Sequence, residues 1–377
     1  MYSRFIKASS SSSFFLFGPR GTGKSFWVRE KFKNAVFVDL LDDATYRELL
    51  AKPEMLAQRI PPKPGSWVVI DEVQKVPALL DEAHRQIELN KIKFVLTGSS
   101  ARKLKRSGVN LLAGRALTHA AYPLTVRELG VKFSLAKQLQ RGFLPAVIEH
   151  PEPDSFLNSY VNTYLKEEVQ QEGLVRNLSN FARFLEVASF SQASILNMTA
   201  VARDCAIERK VVENYFQILE DLLIAERVPV FQKRAKRKMV THPKFFYFDV
   251  GVYRTLRPRG PLDQPSEIGG VALETFVFQE LRALNHYKNW NFGIYTWRTQ
   301  SHAEVDFVLY GEKGIFALEI KGSTRIRSED LKGLNFFLED YPNAKAYFLY
   351  LGKEKRFIEG IQAIPILDFI YHIHDYL

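Results

Sequence analysis

Short apolar runs recur along the first third of the chain, each closing on a polar or glycine-rich corner. Residues 14–17 (FFLF), 35–39 (AVFVD), 67–70 (WVVI) and 93–97 (KFVLT) have the length and composition of buried strands. Residues 26–32 and 42–59 carry helical spacing between them, so the order strand, helix, strand predicts a parallel α/β sheet. Pro61, Pro62, Pro64 and Gly65 break the chain before the third strand, and residues 116–124 supply a further apolar stretch.

The pattern then changes. Residues 125–181 read as helices over 125–129, 135–139 and 155–165, with a loop over 142–153, enough for a helical lid. Residues 181–249 read as a winged helix-turn-helix. A helix over 181–189 precedes a short one over 199–204, capped by Asn197 or Thr199, and a turn at 205–207. A third helix, 208–225, puts Val211, Val212, Tyr215, Phe216, Leu219, Leu222 and Leu223 on one face. Strands over 228–231 and 244–248 would form the wing. A helix over 270–283 and strands over 304–309, 315–321 and 341–351 complete the chain. Four domains are expected, with bounds 1–124, 125–180, 181–265 and 266–377.

The corner after the first strand reads GPRGTGKS. Gly-x4-Gly-Lys-Ser is the spacing of a phosphate-binding loop, whose backbone N–H groups and following helix N-terminus point together at a nucleotide's phosphates. Gly18, Pro19, Arg20, Gly21, Thr22, Gly23, Lys24, Ser25 and Phe26 are the expected nucleotide contacts. Lys24 would reach the β- and γ-phosphates and Ser25 would ligate Mg²⁺. The strand over 67–70 runs into Asp71-Glu72, giving a metal-side acid in Asp71 and a base in Glu72 to polarise the attacking water. At the next strand tip Thr97, Ser99 or Ser100 could sense the γ-phosphate, or the segment could be a plain turn; Ser99 is the candidate carried forward. Arg115 is the leading arginine-finger candidate, with Arg102 and Arg20 behind it, each equally readable as a surface cation.

Composition sharpens the choice of partner. The 377 residues carry a net charge of +10, which favours polyanions, DNA first. Lys233, Arg234, Lys236, Arg237 and Lys238 crowd the loop between the two wing strands, and Arg209 and Lys210 open the third helix. These are the expected DNA-backbone contacts, against the alternative of a protein-binding winged helix with a solvated tip. The single cysteine, Cys205, excludes an internal disulfide. With no signal-like or membrane-spanning apolar run, a cytoplasmic protein without membrane contact is expected.

In the last region Glu319 and Lys321, two apart, share one face of a strand. With Glu274 and Asp306 they could form a metal site at Glu274, Asp306 and Glu319, with Glu319 and Lys321 catalytic, as metal-assisted phosphodiester hydrolysis requires. A solvated strand edge of alternating charge is the other reading.

Together GPRGTGKS (18–25), VVIDEVQ (68–74), LTGSS (96–100), LAGRA (112–116), GFLPAV (142–147), PKFFYFDVGV (243–252), EVDFVL (304–309) and ALEIKGS (317–323) resemble a family of prokaryotic AAA-type ATPases. Members join a P-loop domain and a winged helix to a C-terminal domain of unknown function similar to PD-(D/E)xK nucleases. The resemblance implies an α/β multidomain chain with a restriction-endonuclease-like C-terminus, ATP and Mg²⁺ as cofactors, and Glu274, Asp306, Glu319 and Lys321 at the nuclease motif positions. Val305 stands where the motif's name has proline. The leading expectation is an ATPase that binds DNA and positions a Mg²⁺-dependent nuclease-like domain. The alternatives are a non-cleaving ATP switch, or a scaffold without nucleic-acid contact. Homo-oligomers are expected if Arg115 acts on a neighbouring subunit.

Overall fold

A computed structural model describes residues 2–60, 63–100, 104, 112–165, 169–170, 175, 177–261 and 263–377. They form two compact units. One comprises Met1–Leu124, Leu144–Glu149 and Ile218–Ile224; the other comprises Thr125–Phe143, His150–Gln217 and Ala225–Leu377.

The first unit is built on five parallel strands in the order β2-β3-β4-β1-β5: β1 (Ser13–Phe17), β2 (Val36–Asp39), β3 (Trp67–Asp71), β4 (Lys93–Gly98) and β5 (Ala116–Ala120). Phe15, Phe17, Val68, Ile70, Phe94 and Leu96 are buried in a core shared with Leu79, Leu80 and Ala83 of the helix Leu79–Asn90. Burial on both faces is why these strands read as continuous apolar runs rather than alternating ones. Because the strands are parallel, β1, β3 and β4 all end at one edge, where α/β sheets place ligands. The helix expected over 42–59 is instead Asp43–Ala51, a 3₁₀ turn at Pro53–Met55, and Leu56–Arg59. Pro53 lacks the N–H needed to continue the first helix and opens a new turn.

In the second unit the helices Leu178–Ser189 and Met198–Cys205 precede a helix, Arg209–Asp221, that enters it from residue 209 to 217. Asn197, not Thr199, is the cap: its side chain accepts from Ala200 N at 3.0 Å. A three-stranded antiparallel sheet in the order β6-β8-β7 follows, from β6 (Ser194–Ile195), β7 (Ala225–Val228) and β8 (Lys244–Tyr247). The connection from β7 to β8 is not the free hairpin tip expected of a wing. Val230 and Met239 bridge to Thr296 and Thr299, and Phe231 is buried in the core of the next sheet, because its apolar residues find partners there.

That next sheet has six strands in the order β13-β14-β12-β11-β10-β9: β9 (Gly293–Arg298), β10 (Glu304–Gly311), β11 (Gly314–Lys321), β12 (Lys345–Tyr350), β13 (Arg356–Ile358) and β14 (Ile361–Pro365). The helix Pro265–Tyr287, longer than expected, carries Glu274. Residues 142–153 hold a short helix, Pro145–Ile148, rather than loop alone, with proline at its first position. The glycine before it, Gly142, has φ +76° and would place a Cβ 2.0 Å from Asp249 Oδ1. Only glycine lets Asp249 come close enough to accept Phe143 N at 2.7 Å, alongside Gly251 N at 2.9 Å and Val252 N at 3.1 Å. Among the described residues no helix is long and apolar enough to cross a membrane.

Candidate functional site

At the carboxyl edge of the first sheet the chain leaves β1 through Gly18 and turns into the helix Lys24–Lys31. Gly21 and Gly23 have φ near +84° and +82°, and a Cβ on Gly18 would lie 2.2 Å from Ala121 O. The turn is tied internally by Thr22 Oγ1, which donates to Pro19 O at 2.8 Å. Arg4, which the sequence did not single out, clamps it from outside, donating to Thr22 O and Tyr122 O at 2.7 Å each. Lys24 is 5% exposed, and its Nζ donates to Gly18 O at 2.6 Å and Pro19 O at 3.1 Å. An ammonium held by the loop's own carbonyls is poised to exchange them for phosphate oxygens. Arg20 and Phe26 are exposed on the rim.

Ser25 Oγ donates to Asp71 Oδ1 at 3.0 Å, and Thr97 Oγ1 donates to the same carboxylate oxygen. The first turn of the helix Lys24–Lys31 and the ends of β3 and β4 thus bring one hard-oxygen set together, the donor chemistry that Mg²⁺ takes. Glu72 sits next to it with φ 61°, an unfavourable angle for a non-glycine residue, and its N–H donates to Thr97 Oγ1 at 3.1 Å. Its carboxylate accepts from Gln74 Nε2, which also reaches Ser99 Oγ at 3.3 Å. Thr97 therefore holds the metal-side acid, and buried Gln74 links Glu72 to Ser99. Gln74 lay inside the VVIDEVQ run, but a glutamine two residues past an acid carries no signal until the strands are assembled. Gly98 is its complement: a Cβ there would lie 2.5 Å from Gln74 Oε1.

Arg115 is not part of this arrangement. It precedes β5, whose first residue pairs with Ser13 at the far end of β1. At about 3.3 Å per strand residue that is roughly 13 Å below the loop. Its guanidinium is paired with Glu88, and the pairing lowers the Glu88 carboxyl from its usual range. The parallel register therefore sets Arg115 away from the phosphate loop of its own chain, and a role towards a neighbouring subunit is left as the expectation stated it. Arg102 lies outside the described residues.

A second cluster stands in the other unit. Extending the antiparallel register of Phe307 with Leu318 by one residue sets Asp306 opposite Glu319, and the bulge between Val305 and Val308 bends β10 there. Asp306 Oδ2 accepts Ile320 N at 2.9 Å, and Glu319 Oε1 pairs with Lys321 Nζ at 2.7 Å. Of the four expected residues, Glu274 and Asp306 meet at an ammonium the sequence did not reveal, while Glu319 and Lys321 pair with each other. Lys244 of β8 is 2% exposed, and its Nζ stands 2.6 Å from Glu274 Oε1, 3.1 Å from Asp306 Oδ1 and 3.1 Å from Glu304 Oε1. Burial, then Asp306, push Glu274 well above the usual carboxyl range against the pull of Lys244. Burial, then Asp306, also lift Glu319 to about 8. Burial alone would depress Lys244, but Glu274, Asp306 and Glu304 together hold it well above its ordinary value. Among the described residues no group of three or more His, Cys, Asp or Glu is arranged to hold a metal ion. Lys244 thus contacts Glu274 and Asp306, two of the three residues expected to ligate a metal, while the third, Glu319, pairs with Lys321.

The expected DNA contacts divide. Arg237 is paired with Asp340 at 3.0 Å and with Glu339, Lys236 donates to Glu339 O at 3.3 Å, and Lys233 lies 4.0 Å over the Tyr310 ring. Arg209 pairs with Glu213 at 2.9 Å, and Lys210, Arg234 and Lys238 are exposed. Cys205 is buried, with its thiol pushed up to about 11 by burial, so it offers no reactive thiolate.

Residues 132–263 and 269–369 match the models of two domains of unknown function, DUF8612 and DUF4143. The uncharacterized protein Rv2008c of Mycobacterium tuberculosis is 25% identical over 362 residues, covering 93% of this chain and 79% of its own length. The uncharacterized protein MJ1544 of Methanocaldococcus jannaschii is 22% identical over 333 residues, covering 79% and 72%. Among solved structures, the Orc1 protein of Aeropyrum pernix in complex with DNA aligns at 13% identity and TM-score 0.27, covering 65% of this chain and 86% of that one. Can2 of Sulfobacillus thermosulfidooxidans in complex with cyclic tetra-adenylate aligns at 9% and 0.23, covering 97% and 98%. Scores this low carry no conclusion about fold or function. Residues 10–130, the part that carries the Gly18–Ser25 loop, match the AAA domain model.

Proposed function

We propose that the first unit binds and hydrolyses ATP with Mg²⁺. The observation that carries this reading is the meeting of Ser25, Asp71 and Thr97 beside a buried Lys24 whose ammonium is held by loop carbonyls. Ser25 and Asp71 would hold the ion, which neutralises charge on the phosphates when bound. Lys24 orients the phosphate chain, and Glu72 accepts the proton of the attacking water once Gln74 releases it. Glu72→Gln should bind ATP close to wild-type affinity yet hydrolyse it about 10²- to 10⁴-fold more slowly, as loss of a general base implies. Wild-type turnover in that variant, measured by phosphate release, would remove Glu72 from the mechanism.

ATP state then acts on the second unit, whose winged-helix-like region contacts DNA through its cations. The net charge of +10 and the exposed Lys210, Arg234 and Lys238 support this. Duplex DNA binding should weaken steeply between about 50 and 200 mM salt, because phosphate contacts release counterions. Affinity indifferent to salt, or absent at low salt with every nucleotide, would defeat the DNA reading. Between a cleaving and a non-cleaving C-terminal domain, the position of Lys244 among Glu274, Glu304 and Asp306 favours the second: a nuclease-like fold that binds rather than cuts.

A further inference from the structure

We infer that the Lys244 ammonium takes the place of a divalent cation in the C-terminal carboxylate cluster, closing it to metal and converting it into an internal fastening between β8 and β10. A lysine in so buried a setting survives as a cation only where carboxylates surround it, and removing its partners would strand the charge. Three oxygens from Glu274, Glu304 and Asp306 supply that surrounding at 2.6 to 3.1 Å. A Mg²⁺ or Mn²⁺ ion on the same oxygens would need bonds of about 2.0–2.2 Å and would overlap the nitrogen.

Charge gives the same answer independently of distance. Even with all four carboxyl groups ionised, Glu274, Glu304, Asp306 and Glu319 face three cations: Lys244, Arg298 at 3.0 Å from Glu304, and Lys321 at 2.7 Å from Glu319. A divalent ion added to this set would turn a net single negative charge into a net positive one. The lysine also arrives from outside the sheet that carries the acids, since β8 belongs to the three-stranded sheet. Its ion pairs join that sheet to β10 and to the helix Pro265–Tyr287, a fastening role that needs no metal.

The test titrates Mn²⁺ into the full-length, nucleotide-free chain and follows water-proton relaxation, comparing wild type with Asp306→Asn and with Lys244→Met. Wild type and Asp306→Asn should give the same isotherm, since any ion on Ser25 and Asp71 is common to both. Lys244→Met should gain a site at least tenfold tighter than any in wild type, and adding Asp306→Asn should abolish it. A wild-type site that Asp306→Asn removes overturns the inference, as does a folded Lys244→Met chain that gains nothing. Should Lys244→Met fail to fold, the comparison of wild type with Asp306→Asn, or with Glu319→Gln, still decides it. Nucleotide is absent throughout, so the outcome is separate from that of the ATP reading.

Discussion

Lys24→Ala should abolish ATP turnover and weaken ATP binding by about a hundredfold or more. Hydrogen bonds to charged groups contribute about 1.5–3 kcal/mol each, and Lys24 is placed to make more than one to the phosphates. The fold itself should survive. Lys24 donates to Gly18 O and Pro19 O, and both carbonyls sit at a loop that water can enter once the side chain is shortened. The discriminating measurement is thermal unfolding with and without ATP. At ligand concentrations near a hundred times Kd, wild type gains about 2.7 kcal/mol by mass action, and the variant should gain almost none at the same concentration. Turnover retained in Lys24→Ala would refute the assignment of the phosphate site.

Asp249→Ala should cost the second unit about 3 kcal/mol or more. It strands the N–H groups of Phe143, Gly251 and Val252, each buried and each costing about 1–3 kcal/mol unmet. The effect should depend on pH. Burial lifts the Asp249 carboxyl to about 6, outweighing its three N–H donors, while an unfolded carboxyl titrates near 3.8. The folded state therefore holds the proton more tightly. The contribution of Asp249 to wild-type stability is greatest below pH 3.8 and declines as pH rises to about 6, so the deficit of the variant should be larger at pH 5 than at pH 7.5. Chemical denaturation at the two pH values measures it. A variant as stable as wild type at both would show that these N–H groups find other partners.

Much of the first unit was legible because its signals are local. Residues 14–17 enter a glycine-rich turn with Lys24 and Ser25 at fixed offsets, and residues 67–70 end on Asp71, so strand, loop and acid could be read from adjacent positions. Pro53 was the local signal passed over in the helix expected across 42–59. The roles of Thr97 and Gln74 were less legible, since each depends on β4 lying between β1 and β3, which no spacing encodes. Arg115 shows the same limit in reverse. Its place in the LAGRA run suggested a catalytic arginine, and only the parallel pairing of Ser13 with Ala116 sets it at the end of the sheet away from its own phosphate loop.

The carboxylate cluster marks the boundary most sharply. Glu319 and Lys321 share a strand face by periodicity, so their pairing was settled by sequence, as were the phosphate loop and the parallel α/β class of the first unit. Whether the four acidic and basic motif residues enclosed a metal or a charge of the chain's own was not. Lys244 lies about sixty residues before Asp306 in a run of apolar residues, and nothing local distinguishes it from a surface lysine at a strand start. Its role was decided by tertiary structure alone, because the energy of a buried charge depends on which groups surround it in space, and those come from two other segments of the chain, the helix Pro265–Tyr287 and β10.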